Sequence, residues 1–290
     1  NMFLNKDIDD IVKEDIESNP VLTEIIENFG GIIAGGASHA LLRGHTLRDY
    51  LRDNNCADID VYFKTEKHYN AAVKELKLRI EYPEYRQDRF SDYHLESSIT
   101  GLCHNLHFNY GFIRKIQLVG CVFGSGKDIV QSFDFKNLEV FCSLIQGKYR
   151  LLYSKTAEEN KRELVVRHSK SPFLMYRIYK YINYRGYDSI TKDTRTHLTD
   201  WIIKASSGYY YDNPDGCKSI YVDLLNNAQI KSVISNRELI SDEDLVYMIG
   251  KVKEDIFKEV ESITSRGYSS VYKQKDGERD LVIEEIRNRG

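Results

Sequence analysis

Hydrophobic residues near the start of the chain recur with the spacing of helices. Residues 5 to 28 read as two short amphipathic helices, with Asn19-Pro20 between them as a cap and a first-turn residue. Their apolar stripes are Ile8, Ile11, Val12 and Ile16 in the first helix, and Val21, Leu22, Ile25 and Ile26 in the second. A further helix is predicted from Thr65 to Leu78, capped by Thr65.

Shorter apolar runs have the length and the alternation of strands. These runs are Ile32–Ala34, Ala57–Phe63, Leu106–Tyr110, Ile113–Val119 and Ser132–Phe135. Gly111-Phe112 is a plausible hairpin turn between two of them, and residues 80 to 100 are predicted to be mostly loop. Strands that alternate with helices indicate an α/β layer of helices on a sheet. With the mainly helical second half described below, the predicted fold class of the whole chain is α+β.

The pattern changes after Leu144, where the apolar spacing becomes helical and no convincing strand follows Tyr153. We therefore predict a boundary near residue 150. Residues 1–150 are expected to form one domain that includes the N-terminal helices, and residues 151–290 a mainly α-helical domain.

Composition narrows the class of protein. The 290 residues are 41% hydrophobic and 29% charged, so a packed core is expected, and the net charge of -3 argues against a globally basic nucleic-acid coat protein. The five cysteines lack a CxxC pair, which favours a reducing compartment. No apolar run is long enough to span a membrane and the acidic start is not that of a signal peptide, so we expect a cytoplasmic protein.

Two carboxylates are candidates for metal chemistry. Asp58 and Asp60 alternate with Ile59 and Val61, so a strand here buries the apolar pair and projects both acids from its other face. Paired carboxylates repel each other unless a cation lies between them, and Mg²⁺ or Mn²⁺ prefers such oxygen ligands.

A phosphate-binding turn precedes these acids. Gly35-Gly36 follows a short apolar strand and precedes a helix-like run from Ala37 to Arg43. Glycines let the backbone approach a ligand, and the start of a helix attracts an anion. Ser38, just after the glycines, is a further candidate for a bond to phosphate.

The segments GGASHALLRG and ADIDVYF, in this order, resemble the polymerase-β-like nucleotidyltransferases. They are nearest to the head domain of the CCA-adding and poly(A) polymerase branch and to uncharacterised phage and bacterial relatives. The resemblance covers mainly residues 29 to 142. It implies a mixed sheet with helices and an enzyme that moves an NMP from an NTP to a hydroxyl acceptor, releasing pyrophosphate. RNA is the first expected acceptor, with tRNA among the possibilities.

The resemblance also implies site residues. Asp58 and Asp60 would bind two divalent ions, Mg²⁺ or Mn²⁺, and Gly35, Gly36 and Ser38 would hold the triphosphate. A third acid from a later strand completes such sites, and Asp134, between Phe133 and Phe135, is our candidate for that catalytic and metal-binding role. This assignment requires its strand to be a neighbour of the strand that carries Asp58 and Asp60.

One basic segment stands out in the second half. Residues 161 to 195 are rich in Lys, Arg and Tyr, which suits stacking on bases and pairing with phosphates. Arg177 and Lys180 share a helix face and are the candidates for triphosphate contact. The alternative is an ordinary amphipathic helix with a buried apolar stripe and solvated charges.

The chain departs from the CCA-adding pattern in two respects. Ser38 and His39 stand where that pattern commonly has Arg-Asp, and the Glu-Asp-x-x-Arg element that reads the incoming base is missing. The transfer chemistry is therefore supported and the tRNA specificity is not. A non-catalytic nucleic-acid-binding module on a degenerate fold, and a second-messenger or toxin-antitoxin type transferase, remain open.

Two other motifs fail on their spacing. Residues 120 to 128 resemble a P-loop, but Ser125 stands where the second glycine is required and Asp128 where Ser or Thr belongs. Cys103, His104 and His107 lack the partner pair of a zinc site.

Overall fold

Four of the five predicted strand runs lie in an eight-stranded sheet in a computed structural model of the chain. The structure describes residues 2–54, 57–82, 93–98, 101–167, 177–178, 181–182 and 185–196. Described residues up to Lys161 belong to one compact unit and those from Arg162 to a second. The predicted domain boundary near residue 150 stays a prediction.

The first unit contains eight strands and seven α-helices within the described ranges. The strands are β1 (Leu4–Asp7), β2 (Ile32–Ala34), β3 (Ile59–Phe63), β4 (Tyr93–Ser97), β5 (Cys103–Phe108), β6 (Lys115–Phe123), β7 (Val140–Ile145) and β8 (Lys148–Tyr153). The helices are α1 (Asp10–Glu17), α2 (Pro20–Phe29), α3 (Gly36–Leu42), α4 (Leu47–Asp53), α5 (Glu66–Glu81), α6 (Gly126–Gln131) and α7 (Lys155–Glu159).

The sheet is mixed, and its strand order is β1-β8-β7-β2-β3-β6-β5-β4. β3 lies inside the sheet, where it pairs antiparallel with β2 and parallel with β6. The other pairs in this sheet are antiparallel. The parallel pair is possible because α5 and the segment after it return the chain to the opposite end of the sheet before β6 begins.

Sequence patterns identified most of these elements. Asn19 caps α2, where its side chain accepts a hydrogen bond from the Leu22 N–H at 3.0 Å, and Thr65 caps α5 in the same way. The hairpin of β5 and β6 is confirmed. Four strands were missed: the edge strands β1 and β4, and the inner strands β7 and β8. β4 lies within the segment predicted as loop, and β8 lies beyond Leu144, where helical spacing was predicted.

Two residues of the predicted apolar stripes are exposed. Ile11 is 61% exposed, whereas Val12 and Ile16 of the same stripe are buried. In α5, whose predicted stripe is Ala72, Val73, Leu76 and Leu78, only Leu78 is exposed, at 37%. Helical spacing defines a stripe only to within one residue on either side, and the packing partner then decides which residue is covered. The stripe of α2 is buried as predicted.

The hydrophobic core lies against one face of the sheet. Ile33, Val61 and Leu118 are fully buried there with α2 and α5, whose apolar residues belong to the same cluster. Alternation along each strand places their neighbours on the opposite face. On that face α6 packs near β7, where Gly126 lies directly beside the Phe141 ring.

The second unit contributes two short strands to the described residues, β9 (Glu163–Leu164) and β10 (Ser189–Ile190), which pair in parallel. Thr194 fixes this pair, because its Oγ1 donates to the Leu164 carbonyl and accepts from the Val166 N–H. The expectation of no strand after Tyr153 is therefore wrong for these two. Most of the predicted helical half lies outside the described residues. No helix in the described part of the chain is long and apolar enough to cross a membrane.

Replacing the α2 cap tests how this layer is stabilised. Asn19→Ala leaves the Leu22 N–H without its acceptor inside the protein, so we expect the free energy of unfolding to fall by about 1 kcal/mol. Asn19→Ser retains a short side-chain acceptor, so its free energy of unfolding should fall by clearly less. Urea unfolding followed by circular dichroism measures both variants, and equal losses would show that the cap bond is not the cause.

Candidate functional site

The pairing of β2 with β3 brings the glycine turn to the carboxylates. Ala34, the last residue of β2, lies opposite Asp60. Because the two strands run antiparallel, the Gly35-Gly36 turn that follows β2 lies at the end of the sheet where β3 begins, next to Asp58. Two segments separated by more than twenty residues in the sequence thus meet at one end of the sheet.

The two glycines are required for different reasons. Gly35 has φ 82° and ψ -147°, a backbone conformation that residues with a side chain rarely adopt. Gly36 begins α3, and a Cβ atom there would lie 2.6 Å from the Tyr50 hydroxyl. The backbone of this turn is therefore held close against α4 on one side.

Ser38 is fully buried at the start of α3, and its hydroxyl donates to the Ile33 carbonyl at 2.7 Å. In this structure the hydroxyl stabilises the turn from inside the protein. A contact with phosphate would require that bond to break, so the predicted role of Ser38 stays a prediction that its burial opposes.

His39 is also fully buried. Burial, with the nearby Arg43 cation, lowers the pKa of His39 to about 3, and a hydrogen bond with the backbone of Ala157 opposes that shift. The imidazole is therefore neutral at physiological pH. It ties α3 to α7 and is a structural residue behind the turn.

Asp58 and Asp60 lie as the alternation predicted, on the face of β3 opposite the buried Ile59 and Val61. The adjacent strand β6 places Gln117 beside Asp60. Lys115 reaches Asp58 from the same strand, and its Nζ lies 3.1 Å from the Asp58 Oδ2.

Polar side chains continue across the sheet from these two acids. Strand register aligns them in two rows, because paired residues project on the same face. The polar face consists of Asp58, Lys115, His107 and His94 in one row, and Asp60, Gln117, Asn105 and Glu96 in the other.

Contacts hold these rows together. The Gln117 amide donates to the Asn105 Oδ1 at 3.2 Å, and the His107 Nε2 lies 3.3 Å from the Glu96 Oε2. The rings of His94 and His107 stack with centroids 4.7 Å apart. The polar face is thus an ordered surface rather than a set of independent solvated side chains.

The structure does not place Asp134 on a strand. It lies in the loop between α6 and the 3₁₀ turn Lys136–Leu138, and β7, which follows, pairs with β2 and β8. The side chains of Phe133, Asp134 and Phe135 are all buried, and Asp134 is 2% exposed.

The Asp134 segment nevertheless reaches the same side of the sheet as the two acids. The ring of Phe133 lies 5.6 Å from that of Tyr62, two residues after Asp60 and therefore on its face. The Asp134 segment therefore reaches this face of the sheet as the loop after α6, and not as a strand next to β3. The role of Asp134 as a third carboxylate stays a prediction.

The donors at this site fit a divalent ion held by Asp58 and Asp60. Within the described ranges no three His, Cys, Asp or Glu side chains are grouped so as to hold a metal. Mg²⁺ is commonly bound by one or two carboxylates together with substrate phosphates, so two acids beside a glycine turn that is predicted to bind phosphate are a suitable set. The Lys115 ammonium at 3.1 Å shows that Asp58 already attracts a cation.

Arg177 belongs to the second unit and is 6% exposed. Its guanidinium carbon lies 5.4 Å from the centre of the Tyr181 ring, a cation–π contact inside the protein. Lys180 lies outside the described residues. The predicted triphosphate contacts of both residues stay predictions, and the burial of Arg177 favours the structural alternative for that side chain.

Sequence reasoning missed Lys115 and Gln117. Both occur in a predicted strand and alternate with Ile116 and Leu118, so their common face was readable. The position of Lys115 and Gln117 beside the two acids could not be predicted, because it depends on the parallel pairing of β3 with β6.

Comparison with known proteins gives a family. The sequence model of the Gabija anti-defense 2 (Gad2) family matches residues 2–159. This range contains the glycine turn, both acids and the whole eight-stranded sheet. No curated protein matches the chain.

Solved structures give the fold. A CCA-adding enzyme in complex with CTP is 14% identical and aligns over 99% of this chain and 69% of that chain, with a TM-score of 0.50. The Thermotoga maritima CCA-adding enzyme complexed with tRNA is 13% identical over 100% of this chain and 83% of that chain, with a TM-score of 0.44. The first likeness confirms the predicted nucleotidyltransferase-like α+β fold, and identity at this level shows the fold alone.

A double-variant cycle tests the packing of the glycine turn. Gly36→Ala should lower the free energy of unfolding by about 1–3 kcal/mol, the usual cost of overpacking, because its methyl group meets the Tyr50 hydroxyl. In a Tyr50→Phe background the same change should cost much less, since the next ring atom is 3.5 Å away. Chemical denaturation of wild type, the two single variants and the double variant gives the coupling free energy between positions 36 and 50. If Gly36→Ala lowers the free energy of unfolding equally in both backgrounds, the predicted contact is refuted.

The buried histidine predicts a pH dependence. The unfolded chain binds a proton on His39 below about pH 6.5, whereas the folded protein does so only near 3, so stability falls as the pH falls between these values. The expected slope from this residue is about 1.4 kcal/mol per pH unit. Urea unfolding at several pH values should show that the free energy of unfolding of His39→Gln depends less steeply on pH than that of wild type. His45→Gln, which replaces an exposed histidine, should show the wild-type dependence. Equal slopes in all three proteins would contradict the assignment.

Proposed function

Since this chain belongs to the Gabija anti-defense 2 family and has a nucleotidyltransferase-like fold, we propose that it is a metal-dependent nucleotidyltransferase. It moves an NMP from an NTP to a hydroxyl acceptor. The observation that carries the proposal is the register of β2 and β3, which sets Ala34 and the following Gly35-Gly36 turn beside the two acids. A phosphate-binding turn and a metal-binding pair at one end of a sheet are the minimum that nucleotidyl transfer requires.

Asp58 and Asp60 hold Mg²⁺ or Mn²⁺ in this proposal, two ions as the resemblance implies. The metal supplies charge neutralisation for the triphosphate and for the attacking hydroxyl oxygen. The protein holds the two carboxylates on one rigid strand, so their spacing is set before a ligand binds. The turn offers backbone N–H groups to the phosphates, and Gly35 and Gly36 leave no side chain in the way.

The reaction forms one bond and breaks another. The acceptor oxygen attacks the α-phosphorus of the NTP, the bond from that phosphorus to the bridging oxygen breaks, and pyrophosphate leaves with the electron pair. The acceptor proton must pass to a base. Asp134 is our proposed base and third metal-binding carboxylate, and Arg177 and Lys180 are proposed to contact the triphosphate.

The acceptor is the least constrained part of the proposal. The family description names an action against Gabija, and we propose that the transfer serves that action. RNA remains the first candidate acceptor, as the polymerase-type resemblance implies. DNA, a protein hydroxyl and a small molecule are the other classes that the same chemistry can modify.

Three observations favour a second candidate, a non-catalytic binding module. Ser38 is bonded inside the protein, Arg177 is buried against Tyr181, and Asp134 is buried. A degenerate transferase would keep the fold and the polar face while losing the reactive arrangement. Binding of NTP or RNA without any transfer would support this candidate.

Transfer is tested with each α-labelled NTP in turn, with Mg²⁺ or Mn²⁺, in the presence and absence of bulk RNA. We expect labelled product from the wild-type protein. Asp58→Asn and Asp60→Asn should each reduce transfer by about 10²-fold or more while the protein stays folded, because an amide offers the metal no charge.

Asp9→Asn is the matched control for this experiment. Asp9 is exposed and its side chain makes no cap hydrogen bond, so the variant removes one carboxylate with no expected effect. Retention of wild-type transfer by Asp58→Asn or Asp60→Asn would refute the metal assignment. Transfer by none of the proteins, with NTP still bound, would favour the binding module.

A further inference from the structure

The ion pair of Lys115 with Asp58 lies within the proposed metal site. The Lys115 Nζ is 3.1 Å from the Asp58 Oδ2, and both side chains are partly covered, with 37% and 24% of their surfaces exposed. Two neighbouring strands set this approach, because β3 and β6 pair in parallel with Ile59 opposite Ile116. The residue before each of these two partners is therefore brought to the same end of the pair.

This position has a consequence for the two acids. Asp58 and Asp60 lie on one face of a strand with one residue between them, where their like charges raise the energy of the ionised pair. A cation at Asp58 offsets that repulsion. Lysine suits the task because its ammonium is a compact charge on a flexible stem and can leave without any change in the backbone.

The Lys115 ammonium contacts the same Asp58 carboxylate that would bind the divalent ion. An Nζ at 3.1 Å makes a charge-assisted contact with one of the two oxygens of Asp58. A metal that binds through this carboxylate must displace the ammonium or share the oxygens with it. The energetic cost of that exchange depends on the strength of a partly exposed ion pair.

We propose that Lys115 is an internal counter-ion of the metal site, which exchanges with the divalent ion at Asp58. The inference rests on the proposed function, since it takes Asp58 as a metal ligand. Lys115 is a positioning residue in this scheme. It keeps Asp58 in place in the metal-free protein and sets the concentration of metal at which the site fills.

The competing explanation is a surface ion pair with no such role. Partly exposed pairs often contribute little to stability, and a lysine near any site lowers cation affinity through its long-range field. The two explanations differ in one respect. Exchange requires Asp58, whereas a long-range field acts whether or not Asp58 is charged.

The test measures Mn²⁺ binding to the full chain directly, by electron paramagnetic resonance of the free ion, without any turnover. Lys115→Met removes the ammonium and keeps an unbranched side chain. We expect it to bind Mn²⁺ about two- to fivefold more tightly than wild type, which matches the strength of a partly exposed ion pair. Lys115→Arg keeps the cation and should bind no more tightly than wild type.

Arg114→Met is the matched control, because it removes one positive charge from the adjacent exposed residue. We expect its Mn²⁺ affinity to stay within twofold of wild type. In an Asp58→Asn background, Lys115→Met should produce no tightening. Circular dichroism spectra of all variants establish that each is folded.

Each outcome decides a separate question. If Mn²⁺ binds to wild type and Asp58→Asn weakens it, while Lys115→Met leaves the affinity unchanged, the exchange proposal fails and the metal assignment stands. Equal tightening by Lys115→Met and Arg114→Met, or tightening that persists in the Asp58→Asn background, also overturns exchange in favour of a long-range field. Binding that is indifferent to Asp58 and Asp60 overturns the metal assignment itself.

Discussion

The antiparallel pairing of β2 with β3 is the constraint on which the rest of the site depends. A shift of this register by one residue would turn Asp58 and Asp60 into the core and expose Ile59 and Val61, at a large cost in buried apolar surface. Hydrophobic burial on one face therefore fixes the carboxylates on the other. The glycine turn follows from the same pairing, because β2 ends opposite Asp60.

The two faces of the sheet are used differently. The face with Val61 and Leu118 is packed against helices, whereas the face with Asp60 and Gln117 carries a continuous polar network towards the β4 edge. Such a network keeps its side chains in defined positions, since each partner limits the rotation of the next. A surface that is already ordered needs less reorganisation when a charged ligand arrives.

Burial separates residues that look alike in the sequence. Ser38 and Asp134 are polar residues in segments with the expected chemistry, yet Ser38 bonds to the Ile33 carbonyl and Asp134 is enclosed with Phe133. Buried polar groups are normally bonded within the protein, and such bonds hold loops and helix starts in place. In this chain the Ser38 bond supports the glycine turn of the proposed site.

The sequence by itself determined several of the helices and central strands and the main candidate residues, because alternation and caps are local properties. The alternation of acidic and apolar residues predicted the common face of Asp58 and Asp60, and Asn19-Pro20 predicted the start of α2. Only the tertiary structure decided which distant segments meet. It placed Lys115 against Asp58, which depends on the pairing of two strands far apart in the chain, and it buried Ser38 and placed Asp134 in a loop. Such pairing is set by the sum of many packing contacts, which no short motif contains.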